Sequence, residues 1–182
     1  MKTISIFLVS LLFGFLTIAQ DETHDPKARE VLDKVSDKTS AYTSVKASFS
    51  YTLESEQDKT SDTHEGDFLK KGNKYRINLM GSVVYYNGET QWTHLKDADE
   101  VQITVPDMSE ENILNPNYIF DFYKKGFKYR YNGEVSEAGK NLHEIDLFPE
   151  QPKGKQYTRI RLKIDKSKND IYSIKVFGRD GT

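Results

Sequence analysis

Cysteine is absent from the 182 residues. That removes disulfide scaffolds, thiolate zinc sites, iron–sulfur clusters, cysteine nucleophiles and a lipid anchor carried on a cysteine of the chain itself. Histidine is scarce: His24, His64, His94 and His143 lie in four separate segments, in none of the H-x-H, H-x-x-H or H-E-x-x-H spacings that gather a metal ion. A basic excess is also missing, since 26 Lys and Arg face 28 Asp and Glu for a net charge of −2. This excludes a general nucleic-acid binder, which needs cations for the phosphates. The phosphate-cradling and dinucleotide glycine motifs and the nucleophile elbow are not found. No catalytic residue, metal or cofactor is therefore assigned.

What is present suits one domain: 36% of the residues are apolar and 12% aromatic, enough for a packed core. The longest apolar run is at the start, residues 4–18 after Lys2, with small residues at Thr17 and Ala19. It is shorter than the roughly 18 to 20 uninterrupted residues of a membrane anchor and is broken by Ser5, Ser10 and Gly14. Residues 1–19 thus read as a secretory signal peptide and residues 20–182 as the exported domain, which in a bacterium with two membranes would reside in the periplasm or be secreted beyond it.

Asp25-Pro26 reads as an N-cap and first helical position, followed by Ala28, Val31, Leu32 and Val35 at helical spacing. The period then changes to two, with Val45, Ala47, Phe49, Tyr51 and Leu53 alternating with polar residues. The polar run 55–64 reads as a loop or wide hairpin tip. Strand-like pieces follow at 65–70, 74–80, 82–86, 89–95 and 100–105, and connections this short permit only an antiparallel meander. Asn87-Gly88 predicts a type I′ turn. After Pro106 a helical insertion is expected, with Ser109 capping 110–114 and Asn115-Pro116 opening a second helix of about ten residues. Tyr118, Ile119, Phe120, Phe122 and Tyr123 give that helix more than one apolar face, so part of it should meet something besides the sheet. Further strands are expected at 127–131, 141–148, 157–165 and 171–177, with a turn at Asn132-Gly133, for about ten in all.

Candidates for chemistry are sparse. Asp97, Asp99 and Glu100 resemble half of a calcium loop but lack its glycine and terminal glutamate, so a polar hairpin tip is expected. A hydrolase working through paired carboxylates would draw on Glu89, Asp99, Glu110, Glu144 or Asp146, and nothing in the sequence chooses among them. The basic turn Lys70 to Arg76 is echoed by Lys124 to Arg130, two basic turns leading into strands.

Taken in order, the features resemble the outer-membrane lipoprotein carrier family, the LolA-like proteins. The short helix is followed by Tyr42-Thr43-Ser44-Val45-Lys46-Ala47-Ser48-Phe49, then by Glu65-Gly66-Asp67-Phe68-Leu69-Lys70-Lys71-Gly72-Asn73-Lys74-Tyr75-Arg76-Ile77, then by the turn and tryptophan of Tyr86-Asn87-Gly88-Glu89-Thr90-Gln91-Trp92. The resemblance implies a mainly β (α+β) fold: an open, curved antiparallel sheet forming a half-barrel, with helices over the concave apolar face. It implies a monomeric carrier without catalysis. The carrier takes the acyl chains of lipoproteins from an ATP-driven release complex of the inner membrane and delivers them to an outer-membrane acceptor or to the membrane itself. Alternation marks Phe49, Tyr51, Leu53, Tyr75, Ile77 and Leu79 as lining candidates, with Ile119, Phe120, Phe122 and Tyr123 from the covering helix. Where the family has a lid-latching arginine before proline, this chain has Lys71-Gly72. An amine lacks the planar fork, so a Lys71 latch is weaker or absent. The same fold could hold free lipid or another apolar ligand instead, and a secreted hydrolase is the second alternative. The tail after residue 177 reads as a turn leading to at least one further strand.

Overall fold

The computed structural model describes residues 25–107 and 115–182. The signal-peptide assignment, His24, and the helical piece at 109–114 lie outside the described residues. Within them the order is α1 (Pro26–Ser40), β1 (Ser44–Ser55), β2 (Thr60–Lys71), β3 (Lys74–Leu79), β4 (Ser82–Tyr86), β5 (Gln91–Leu95), β6 (Glu100–Thr104), a 3-10 turn (Phe122–Lys124), β7 (Phe127–Glu137), β8 (Lys140–Pro149), β9 (Tyr157–Asp165) and β10 (Asp170–Gly178). The strands form two antiparallel sheets, one of six in the order β1 to β6 and one of four in the order β10-β9-β8-β7.

Helix α1 begins where the sequence places it. One carboxylate oxygen of Asp25 accepts from the Lys27 and Ala28 amides at 2.8 and 3.2 Å, and the other accepts from the Tyr131 amide at 3.0 Å. A cap of this kind contributes about 1 kcal/mol, and here it also ties the helix to β7. Ala28, Val31, Leu32 and Val35 face inward, where Phe122, Tyr123, Phe127, Ile145, Leu147, Ile160, Leu162 and Ile164 complete the buried core. The helix thus covers the four-stranded sheet, and none of the residues in this core cluster belongs to β1–β6.

Four expectations need correction. The polar run after Ser55 is not an open loop: the turn is confined to residues 56–59, and β2 starts at Thr60. Cross-strand side-chain pairs, Thr52 with Thr63 at 2.9 Å and Ser50 with Glu65 at 2.7 Å, join the ribbon where β2 offers no apolar residue. Asn87-Gly88 does not make a two-residue turn. The Asn87 side chain accepts from the Glu89 and Thr90 amides, forming an Asx turn in a four-residue loop. Positive φ at both central residues occurs instead at Met80-Gly81 and Ala138-Gly139, each closing a two-residue hairpin. Asn132-Gly133 is a bulge inside β7, where the register shifts between Tyr131 and Gly133, so the strand runs on to Glu137. Finally, 115–125 is not a ten-residue helix. Residues 116–121 are turns that precede the short Phe122–Lys124 turn of 3-10 helix, because bulky aromatics favour the packing sites they reach over a regular helix.

Candidate functional site

Strand register decides which side chains share a face. Val45, Ala47, Phe49 and Tyr51 on β1 stand opposite Lys70, Phe68, Gly66 and His64 on β2. Phe68 and Lys70 in turn oppose Ile77 and Tyr75, which oppose Val84 and Tyr86 on β4. One face of β1–β4 therefore carries Phe49, Tyr51, Leu53, Phe68, Tyr75, Ile77, Leu79, Val84 and Tyr86. The opposite face of β2–β3 is a polar network, with Arg76 and Asn78 donating to the two oxygens of Asp67 at 2.8 and 2.9 Å and Lys96 donating to Asn78 at 2.9 Å. Hydrogen-bonded charge on one side and a mainly hydrocarbon and aromatic surface on the other make the sheet amphipathic.

The rings on the apolar face meet at aromatic-pair distances: Phe49 to Phe68 at 6.2 Å, Tyr75 to Tyr86 at 5.0 Å, and Phe68 to Phe120 at 6.3 Å. Phe49 closes over Gly66, where an added Cβ would lie 2.6 Å from its Cζ. Burial is graded along the face. Phe68 and Tyr75 are both 8% exposed, whereas Leu53, at the end of the β1–β2 ribbon, is 54% exposed. Coverage thus falls off toward the ribbon tip, and Phe120 of the connecting segment packs against Phe68. That segment is tied down by Asn117, whose amide Nδ2 donates to the Asn73 carbonyl in the β2–β3 turn at 2.7 Å. A cleft of about 280 Å³ lies elsewhere, between α1 and the start of β7.

The six strand candidates from the alternation pattern lie on this one face, and Phe120 reaches it. Ile119 is half-buried in the same connecting segment. Phe122 and Tyr123, 2% and 1% exposed, are placed in the core beneath α1. Lys71 is exposed at the end of β2 opposite Lys74, and the tie between the covering segment and the β2–β3 turn is made by Asn117. Sequence reasoning missed Phe68, Val84 and Tyr86. Continuing the antiparallel register through the short turns would have found them, since each sits opposite a candidate that alternation identifies.

Polar groups share this face: Asp62 and His64, paired with each other at 3.0 Å toward the tip of the β1–β2 ribbon, and Lys70 toward its other end. Lys70, between Val45 and Tyr75, donates from Nζ to the Gly72 carbonyl; burial lowers its pKa against the opposing pull of Asp121. Burial also raises the Tyr75 phenol, which donates to Gln91 Oε1 at 3.2 Å. Among the described residues the carboxylates considered for hydrolysis do not assemble on this face, and Glu110 lies outside those residues. Asp146, fully buried, accepts from Arg130, Arg159 and Arg161 at 2.7 to 3.2 Å. Burial alone would raise its pKa, but hydrogen bonds from Arg161, Asn132 and Arg130 hold it down at about 2, the wrong direction for a general acid. Glu144 pairs with the same Arg161 at 3.1 Å. Among the described residues no three His, Asp or Glu side chains are grouped to hold a metal ion, and no helix is long and apolar enough to cross a membrane.

Comparison with known proteins gives one family. The model described as outer membrane lipoprotein carrier protein LolA matches residues 16–178. No curated protein matches the chain. Among solved structures, an uncharacterized conserved protein from Thermus thermophilus is 12% identical with a TM-score of 0.50, over 86% of this chain and 80% of that one. A domain described as outer membrane lipoprotein-sorting from Vibrio parahaemolyticus is 15% identical with a TM-score of 0.47, over 86% and 74%. A LolA superfamily protein from Nitrosomonas europaea is 13% identical with a TM-score of 0.40, over 85% and 73%.

Proposed function

This chain belongs to the LolA family of outer membrane lipoprotein carriers, and from that premise we propose that it is a periplasmic carrier whose β1–β4 face takes the acyl chains of lipoproteins. The observation that carries this reading is the amphipathic sheet: a largely aromatic and aliphatic face on β1–β4, backed on β2–β3 by a polar network and met from the connecting segment by Phe120. Phe49, Tyr51, Leu53, Phe68, Tyr75, Ile77 and Leu79 supply the lining, with Ile119 and Phe120 from the covering segment. Phe122 and Tyr123 support that segment from the core.

Each methylene withdrawn from water contributes about 0.8 kcal/mol, so one long acyl chain on such a face binds strongly. Delivery then requires that the bound state be adjustable, and the loosely tied 115–121 segment offers two sets of apolar contacts, with the sheet when empty and with cargo when loaded. No bond is made or broken in this cycle. The energy enters at an ATP-driven release complex of the inner membrane, and an outer-membrane acceptor takes the cargo.

Native mass spectrometry with lipid extraction, on protein purified from its own periplasm, tests the reading. Co-purifying acylated lipoproteins support it. Free lipid alone reassigns the face to a lipid-binding protein, and an empty protein that also fails to extract lipoproteins from membranes refutes both.

A further inference from the structure

The molecule has four strands at sheet edges, and the structure treats them differently. The edges of β1 and β10 lie beside each other, joined by the Glu56 amide donating to the Gly181 carbonyl at 3.0 Å, by Lys175 with Glu54, and by Tyr42 with Asp170 at 3.3 Å. The edge of β7 is bulged at Gly133 and capped by Asp25, whose amide donates to the Tyr129 carbonyl and whose carboxylate accepts from the Tyr131 amide. Both are standard ways of blocking further strand pairing. Strand β6 has neither. It bonds to β5 in unbroken register, contains no Lys, Pro or bulge, and among the described residues makes no other backbone hydrogen bond. Every one of its residues is exposed, with Val101 at 53% and Ile103 at 66%.

The side chains on this edge alternate. Val101 and Ile103 share a face with His94 and Trp92 on β5 and with Val83 and Tyr85 on β4. Glu100, Gln102 and Thr104 lie on the other face, which they share with Leu95, Thr93 and Gln91. That second face is the one that carries the aromatic lining on β1–β4, so its chemistry changes from apolar to mostly polar as it approaches β6. The hairpin tip beside the edge bears Asp97, Asp99 and Glu100, while Lys96 is turned away to Asn78. A molecule laid across the sheet therefore meets hydrocarbon at one side, amides and hydroxyls next, and at the rim a backbone edge that no other described residue pairs with.

We infer that β6 is a docking edge for the polypeptide that follows the acylated end of the cargo, taken up as an added antiparallel or parallel strand. The inference rests on the carrier reading and deepens it: acyl chains lie on β1–β4, and the first residues of the attached protein pair along β6. Main-chain bonds carry the affinity and alternate side chains the selectivity. The fitting segment is extended and free of proline, places apolar residues next to Val101 and Ile103 and polar ones next to Gln102, and carries Lys or Arg at the end beside Asp97 and Asp99.

Hydrogen exchange of residues 100–104 in the full chain tests this with three probes. One is a synthetic triacylated cysteinyl peptide with an alternating tail. The second is the same lipopeptide N-methylated on every other amide, made in both phases. The third is a free fatty acid. The expected result is exchange slowed about tenfold by the lipopeptide, kept with one phase of methylation and lost with the other, and not produced by the fatty acid. Ile103→Lys and Val101→Lys should weaken the lipopeptide about tenfold while leaving fatty-acid binding unchanged, which also shows that the variants fold. Acyl binding without phase-dependent protection overturns the inference and leaves the carrier reading standing. Failure of every acylated probe to bind removes the carrier reading and this inference with it. Protection that rises with protein concentration in the absence of any probe overturns it in favour of pairing between two copies.

Discussion

Substitution of Gly66 by alanine separates the shape of the lining from the stability of the fold. Gly66 sits on β2 opposite Phe49 without a positive φ, so its backbone accommodates an L-residue. The obstacle is space: the new Cβ would stand 2.6 Å from Phe49 Cζ and 3.0 Å from both Phe49 Cε1 and the Asn78 carbonyl oxygen. Carbon atoms settle at about 3.5 to 4.0 Å, so the ring withdraws by about 1 Å. The Asn78 carbonyl belongs to β3 backbone and has less freedom to move. Relieving glycine's conformational entropy gains roughly 0.5–1 kcal/mol, and overpacking costs about 1–3 kcal/mol. A net loss of about 0–2.5 kcal/mol in urea unfolding is expected, together with a marked fall in acyl affinity, since the displaced ring moves against Phe68 and through it Phe120. Pairing Gly66→Ala with Phe49→Leu makes a double-mutant cycle: removing the ring removes the clash, and the two changes should couple by about 0.5–3 kcal/mol in stability. Fluorescence anisotropy of a labelled lipopeptide reads the affinity. Additive effects in the cycle, with unchanged lipopeptide binding in Gly66→Ala, would refute the placement of Phe49 over the glycine and in the lining.

Replacing Asp146 by alanine leaves three arginines around an apolar side chain and should cost about 3–5 kcal/mol in urea unfolding, far more than Glu134→Ala at the exposed rim. The same carboxylate gives an acid limb: its folded pKa of about 2 lies below the ordinary 3.8, so it contributes up to about 2 kcal/mol that is fully present above pH 4 and lost as the pH falls toward 2; Asp146→Asn should abolish that limb. Removing the tie in Asn117→Ala loses one hydrogen bond of about 0.5–1.5 kcal/mol, and stopped-flow lipid uptake should accelerate about 2–10-fold with little change in Tm. In the core, Leu147→Ala should cost about 2–5 kcal/mol while leaving the affinity of the folded protein for acyl chains intact.

Where the sequence was legible, one local pattern dominated. The Asp25-Pro26 cap and the four apolar residues after it give α1 directly, and β9 (Tyr157–Asp165) begins and ends where its alternation does. The same alternation put Phe49, Tyr51 and Leu53, and Tyr75, Ile77 and Leu79, on one face, because adjacent antiparallel strands carry the face across each turn. Errors arose where a side chain substitutes for backbone geometry or where tertiary contact overrules propensity. Asn87 could turn the chain through its own positive φ or through its carboxamide oxygen, and both look identical as Asn-Gly. Residues 60–64 have no apolar member to mark a strand, yet they pair with β1 through hydroxyls. The aromatic run 118–123 promised a multi-faced helix because its contacts diverge: Phe120 turns to the six-stranded sheet, and Phe122 and Tyr123 to the core under α1. The chain meets both directions with turns at 116–121 and a single turn of 3-10 helix.

That divergence joins two halves with unequal stability. The four-stranded sheet and α1 hold the closed hydrophobic cluster, and Asp146 with its arginines clamps β7, β8 and β9 on the opposite face. The six-stranded sheet buries Phe68, Tyr75 and Tyr86 but leaves Leu53, Val101 and Ile103 more than half exposed, and among the described residues its last edge pairs with nothing beyond β5. Local opening is least costly where buried contacts are fewest, so β5 and β6 should exchange amide hydrogens fastest among the strands and β8 and β9 slowest. The proposed carrier function, which requires apolar cargo to be taken up and surrendered, is consistent with this division. A face buried as completely as the core would have no free energy left to gain from an acyl chain, and a molecule as open throughout as β1–β6 would not keep its fold when the chain departs. Residues 115–121 span the boundary: they are anchored in the closed half by Phe122 and Tyr123 and touch the open half through Phe120 and Asn117. Cargo that displaces Phe120 from Phe68 can therefore move the cover without unpacking the core.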